Sequence, residues 1–144
     1  MPGRITPYLL YEDVADALDF LSRAFGFREV LRIADEQGTV NHAEMELGEG
    51  SIMMGDPGPD FVSPKRASRL GAQVYVYVDD VDAHFDRAKA AGATIVREPK
   101  DEEFGDRRYD ADDPEGNRWS FAQRIRDVPP EAWGAQTPER SVRA

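Results

Sequence analysis

The sequence predicts an α+β fold built from one strand–helix–strand–strand–strand unit used twice. Three observations predict it. Leu10-Tyr11-Glu12-Asp13-Val14 runs into an amphipathic segment ending at Phe25-Gly26-Phe27, and Tyr77-Val78-Asp79-Asp80-Val81 runs into another ending at Ala91-Gly92-Ala93. Val81 stands against Val14, about 67 residues on, and self-similarity at a fixed period marks a repeated structural unit. After each helix the pattern changes from a helical period to strict alternation, broken by tight-turn residues. A stretch rich in proline, glycine and serine, 57–71, separates the two units.

Each element has a local reason. Ile5 to Tyr11 reads as a strand whose Pro7 suits a strand start or edge, because it cannot donate to a ladder. Asp13 is a natural N-cap, and Val14, Ala17, Leu18, Leu21 and Phe25 follow at helical spacing until Gly26 stops the helix. Phe27–Ile33 is a strand, Asp35-Glu36-Gln37-Gly38 a turn, and Thr39–Leu47 a strand with Ala43, Met45 and Leu47 on one face and His42, Glu44 and Glu46 on the other. Gly48-Glu49-Gly50 turns into a strand over 51–55. In the second unit Val74, Val76 and Val78 share a face opposite Gln73, Tyr75 and Tyr77. Asp80 caps a helix that Gly92 closes, and a strand follows over 94–97. The charged stretch 99–106 reads as a loop; Asp101-Glu102-Glu103 suits a solvated segment or a lid with Gly105 as its hinge. Strands over 107–111 and 118–123 are joined by Asp113-Pro114-Glu115-Gly116, with Pro114 fixing φ and Gly116 tolerating a positive one. The expected organisation is one domain over 1–124, with module one over 4–56, the linker over 57–71 and module two over 72–123. A tail follows over 125–144, in which Trp133 is expected to pack on the body of the domain.

Composition narrows the function classes. Eighteen basic against 28 acidic residues give a net charge of −10, which opposes phosphate backbones and anionic membranes. The pairs Lys65-Arg66 and Arg107-Arg108 are too short to form a nucleic-acid footprint. No apolar run approaches the length of a membrane span and no leader pattern opens the chain, so a cytoplasmic protein is expected. Without cysteine there is no disulfide, thiolate metal site or thiol nucleophile.

Four segments resemble the vicinal oxygen chelate superfamily, which includes glyoxalase I, extradiol dioxygenases, fosfomycin-resistance enzymes and bleomycin-binding proteins. They are Tyr11-Glu12-Asp13-Val14 with Phe25-Gly26-Phe27; His42-Ala43-Glu44 with Gly48; Val78-Asp79-Asp80-Val81 with Ala91-Gly92; and Asp113-Pro114-Glu115-Gly116-Asn117-Arg118-Trp119. The resemblance spans residues 4 to about 123. It implies two βαβββ modules pairing into a U-shaped mixed-sheet cleft with helices outside, and a homodimer, in some relatives with exchanged strands. Its metalloenzymes carry His or Gln on each module's first strand and Glu on each last strand. Those positions are Thr6, Gln73, Met53 and Ser120 here, of which Gln73 alone is a good hard-metal donor. No metal or other cofactor is expected.

Strand alternation then aims Tyr8, Leu10, His42, Glu44, Met53, Gln73, Tyr75, Tyr77, Arg108, Arg118 and Ser120 into the cleft, the candidate ligand-binding set. The expected function is metal-free binding of a small molecule, an antibiotic or an aromatic metabolite. The alternative is a lyase, isomerase or dioxygenase using an altered metal set (Gln73, His42, Glu44) or acid–base chemistry alone. A third reading is a dimeric scaffold whose tyrosines fill their own groove. Blander roles stand beside each residue: Arg118 bridging Asp110, Gln73 a satisfied polar group, and His42 with Glu44 a structural or interface hydrogen bond.

Overall fold

The computed structural model describes residues 3–138. Its elements run β1 (Tyr8–Leu10), α1 (Val14–Phe25), β2 (Arg28–Ala34), β3 (Val40–Leu47), β4 (Gly50–Gly55), α2 (Pro64–Ala67), β5 (Gln73–Tyr77), α3 (Val81–Ala90), β6 (Thr94–Asp101), β7 (Asp106–Asp112), β8 (Arg118–Arg124) and a 3₁₀ turn, Pro130–Trp133. Two four-stranded mixed sheets result, ordered β1-β4-β3-β2 and β5-β8-β7-β6. In each, the first strand lies parallel to the last and the other pairs are antiparallel. The duplication is therefore real down to strand order.

The two helices start by the same device. Asp13 accepts from the Asp16 N–H at 3.0 Å and Asp80 from the Ala83 N–H at 3.1 Å, each satisfying a donor that the first turn leaves free. At the other end of α1, Gly26 takes a φ of +82°, where a side chain would be strained. The pleats divide as alternation demands. Ala43, Met45, Ile52, Met54, Tyr109, Ala111, Trp119 and Phe121 are buried, and Val74 and Val76 pack against the same core. Tyr8, Leu10, Tyr75 and Tyr77 point away from it and are exposed.

One hydrophobic core serves both modules. Phe25, at the end of α1, lies 4.6 Å from Phe121 and 5.6 Å from Trp119 between ring centroids, and Phe27 lies 5.5 Å from Trp119. The helices touch each other as well as their own sheets. They thus lie between the modules, and the open face of each sheet is left uncovered by its own chain. The two-module fold is as expected, and the tyrosine-bearing face of each sheet is exposed within the chain. α1 buries seven of its 12 residues, and its end packs on the second sheet as well as its own through Phe25.

The module joint is also polar. The buried Asp113 carboxylate accepts from the Tyr11 phenol at 2.6 Å and the Trp119 indole at 3.2 Å, and Glu115 accepts from the backbone N–H groups of Glu12 and Asp13. Burial holds both carboxyls above their usual range, partly offset by these donors. Glu12 in turn accepts from the Ser63 N–H and Arg66, which ties down the linker.

Several expectations need correction. β1 starts at Tyr8, because the Pro7 carbonyl accepts the Met53 N–H while Pro7 has none to return. β6 runs to Asp101 through Pro99, which an edge strand with a register shift tolerates. Residues 102–105 form a pinned turn instead of a lid: Glu102 and Asp106 are bonded backbone to backbone, and the Gly105 carbonyl accepts from Ile125 and Arg126. The linker holds one helical turn, α2. Trp133 remains 40% exposed, with its ring 5.7 Å from Phe104; the part of the expected tail beyond residue 138 lies outside the described residues. Among the described residues no helix is long and apolar enough to cross a membrane.

His84, expected on a partly exposed helix face, sits in the joint. Its Nε2 lies 2.8 Å from the Phe25 carbonyl and its Nδ1 2.5 Å from the Tyr109 phenol, with the ring 4.2 Å from that of Phe121. Nε2 therefore carries the proton and Nδ1 accepts the phenol. Burial, with the nearby Arg87, lowers its pKa below the ordinary 6.5 despite the bond to Phe25. The unfolded chain then binds the extra proton first, so this contribution is intact above about pH 6.5 and is lost as pH falls below it. Urea midpoints are expected to drop between about pH 7 and about pH 5, and His84→Gln, which retains a donor but not a titratable ring, is expected to flatten that slope. An equal slope in both proteins contradicts this.

Candidate functional site

Each open face is preassembled. On sheet one, Tyr8, Met53, Glu44 and Leu31 form one row across the strands, and Leu10, Gly55, His42 and Ile33 the next. The Tyr8 ring crosses Gly55, where an added Cβ would come within 2.6 Å of its hydroxyl. That gap lets the phenol reach His42 Nδ1 at 2.9 Å, while Nε2 stands 3.2 Å from Glu44. Because a carboxylate only accepts, Nε2 holds the proton and Nδ1 takes the phenol's.

On sheet two, the phenols of Tyr75 and Tyr77 both donate to Asp106 Oδ2, at 2.7 and 2.9 Å, and Arg124 Nε donates to Oδ1 at 2.6 Å. The tyrosine rings meet edge to face with centroids 5.6 Å apart. Burial opposes the Asp106 charge, but the bonds from Arg124, Tyr75 and Tyr77 outweigh it and hold its carboxyl below the usual range. Burial and the Asp106 carboxylate raise the Tyr75 phenol well above its own. Guanidinium groups cover both rings, Arg108 at 5.9 Å from the Tyr75 centroid and Arg124 at 5.9 Å from that of Tyr77. Further along, Gln73 donates to Ser120 Oγ at 3.0 Å and Ser120 to Asp110 at 2.6 Å. Between the modules runs a crevice of about 960 Å³, bordered by Ile5, Thr6 and Pro7 on one side and by Tyr75, Tyr77 and Arg87 on the other.

Tyr8, Leu10, His42, Glu44 and Met53 thus share one open face, and Gln73, Tyr75, Tyr77, Arg108 and Arg118 the other. Ser120 is fully buried and lies beneath the groove instead of lining it. Arg118 is held by Asp112, at 2.9 and 3.2 Å, and not by Asp110, since Asp112 is its direct cross-strand neighbour. Asp106, Gly55 and Arg124 were missed. Asp106 was hidden in an apparent charged loop, and a β7 extended by one residue in the alternating register would have found it.

A hard divalent ion does not fit the family's ligand positions here. Thr6, Met53, Gln73 and Ser120 offer two hydroxyls, a thioether and an amide. The Ser120 hydroxyl moreover donates to Asp110 and accepts from the Gln73 amide nitrogen, which leaves the Gln73 carbonyl as the one hard-metal donor of the four. The altered set of Gln73, His42 and Glu44 is split between the two sheets. Among the described residues no group of three or more His, Cys, Asp or Glu stands in metal-holding array.

Duplicated βαβββ modules with paired parallel outer strands define the class of protein. The model of the Glyoxalase/Bleomycin resistance protein/Dioxygenase superfamily matches residues 4–121, and the chain belongs to that superfamily. It is 33% identical over 129 residues to an uncharacterized protein of Mycobacterium bovis, covering 86% of this chain and 85% of that one. Among solved structures it is similar to TioX from Micromonospora sp. ML1, at 39% identity and a TM-score of 0.70, covering 85% of this chain and 99% of the other. It is also similar to a gene product of Arabidopsis thaliana, at 28% identity and a TM-score of 0.66, with coverage of 85% and 99%.

Proposed function

We propose that this protein binds a small aromatic molecule without a metal, as a homodimer in which module one of one copy stands across from module two of the other. One observation carries the reading. Both tyrosine-bearing faces are ordered by internal hydrogen bonds, yet each is uncovered in its own chain because the helices lie between the sheets. Tyr8, Leu10, Leu31 and Ile33 on one face and Tyr75 and Tyr77 on the other leave exposed apolar groups together, and such clusters favour an interaction surface. β1 and β5 are sheet edges without a partner strand on their outer sides, which favours a second copy beside them. Aromatic walls with a few fixed polar groups suit a small-molecule site.

The test is complementation between damaged copies. The double variants Tyr8→Ala/His42→Ala and Tyr75→Ala/Tyr77→Ala each lose binding of a planar probe, 9-anthracenecarboxamide or 9-anthracenecarboxylate, read by fluorescence anisotropy. Co-refolded in equal amounts, they regain about a quarter of the wild-type sites, because about half of the dimers are mixed and each mixed dimer has one cross-chain pocket with two intact walls. A light-scattering mass of one chain, or no regain on mixing, sinks the shared-pocket reading; an in-chain pocket gives no regain. Failure of the wild type to bind either probe counts against small-molecule binding.

A further inference from the structure

We propose that the open face of module two selects an anionic aromatic ligand, a planar ring system bearing a carboxylate, and that Arg108 grips the anion. This rests on the small-molecule reading above and narrows its ligand to a class.

The arginines around this face differ in one respect. Arg97 is paired with Glu102, Arg107 with Asp82 and Asp101, Arg118 with Asp112, and Arg124 with Asp106. Arg108 makes no hydrogen bond among the described residues, and its Nε is buried without a partner. Two carboxylates approach it, Glu102 and Asp110, each at 3.7 Å, beyond hydrogen-bond reach. Asp110 Oδ1 is held at 2.6 Å by the fully buried Ser120 hydroxyl, and Glu102 is shared with Arg97, its Oε1 buried without a hydrogen bond like Arg108 Nε. A buried donor left unmade is costly, so an outside group has a strong reason to meet it. A guanidinium is a planar fork, and a carboxylate matches it with two parallel bonds.

The aromatic half follows from what lies beneath. Arg108 stands over the Tyr75 ring, which is fixed by its phenol to Asp106 and braced by Tyr77. A ring joined to the carboxylate can therefore rest against the exposed edges of the tyrosine pair while its anion reaches the fork. A cationic ligand finds these places taken: the cations over Tyr75 and Tyr77 are the protein's own arginines. Asp106 neutralises Arg124, which leaves Arg108, whose two carboxylate neighbours stand 3.7 Å off, as the positive group with a hydrogen bond still to make. Of the net charge of −10, exposed charges beyond about 10 Å are screened at ordinary salt, and of the carboxylates at the site Glu102 is paired with Arg97 and Asp106 with Arg124.

Two probes of the same shape separate the charge from the ring. Fluorescence anisotropy is expected to show 9-anthracenecarboxylate binding at least about tenfold tighter than the neutral 9-anthracenecarboxamide, the scale of a charge-assisted bidentate contact. Arg108→Met is expected to bring the ratio to about one. Arg108→Lys keeps the charge without the fork and should give an intermediate ratio. Circular dichroism and a melt confirm that both variants fold; if Arg108→Met does not, Arg108→Lys and the loss of the wild-type preference in high salt carry the test. Equal binding of the two probes to the wild type, or a preference that survives Arg108→Met, overturns the inference and leaves small-molecule binding standing. If neither probe binds, both fall.

Discussion

Trp119→Ala is expected to lower stability by about 3–5 kcal/mol, the range for emptying a fully buried indole site. Trp119 is wholly inaccessible, and its ring contacts come from both modules: Phe25 and Phe27 belong to module one, and Phe121, 6.1 Å away and parallel, to module two. The cavity therefore opens at the joint, where neither module can collapse without pulling away from the other. A polar loss adds to it. The indole N–H is one of the donors to Asp113, whose carboxyl burial already pushes up. Trp119→Phe separates the two effects, because it keeps most of the ring and removes the donor; its cost should be a fraction of the alanine variant's. Urea unfolding provides the measurement, and one shared core predicts a single cooperative transition in all three proteins. A loss below about 1 kcal/mol for Trp119→Ala would mean that the joint relaxes around the cavity and that the modules are not one cooperative unit.

The same joint explains what the sequence made legible. Asp13 and Asp80 announced their helices because a cap needs only its own first turn, and the valine and tyrosine rows of β5 announced their faces because alternation is local. Packing between modules is not local. The segment Asp113-Pro114-Glu115-Gly116 carries the most specific family resemblance, and it serves as a clasp on the start of α1, through Tyr11, Glu12 and Asp13, and not as part of either open face. His84 looked like a helix-surface residue because no periodicity in α3 reports that Phe25 of another module lies across it. The width of the α1 stripe is visible in the sequence, but that Trp119 and Phe121 of the second module cover part of it is not. Gly55 looked like an ordinary strand end, and its role exists only because the Tyr8 ring passes over it.

Gly105 shows how a turn residue mistaken for a hinge bears on the candidate site. Gly105→Ala is expected to cost about 2–4 kcal/mol, from a strained backbone and an obstructed contact together. Its φ is +103°, and a Cβ there would come within 2.2 Å of the Arg126 carbonyl oxygen. That neighbour is backbone, so it cannot swing aside as a side chain would. Moving it disturbs the bonds from Ile125 and Arg126 to the Gly105 carbonyl. Gly92→Ala is the control: its φ is +94°, but nothing lies within 4 Å of the added carbon, so it carries the backbone penalty alone and should cost clearly less. The consequence reaches the site because the next residue is Asp106, which fixes both phenols. As Asp106 shifts, Tyr75 keeps the rise that burial gives it but loses the part that the carboxylate adds, and in a spectrophotometric titration its phenol should ionise at lower pH than in the wild type. Equal melting losses for the two alanine variants would show that the contact with Arg126 is dispensable, and an unchanged titration would show that Asp106 holds the tyrosines without help from the turn.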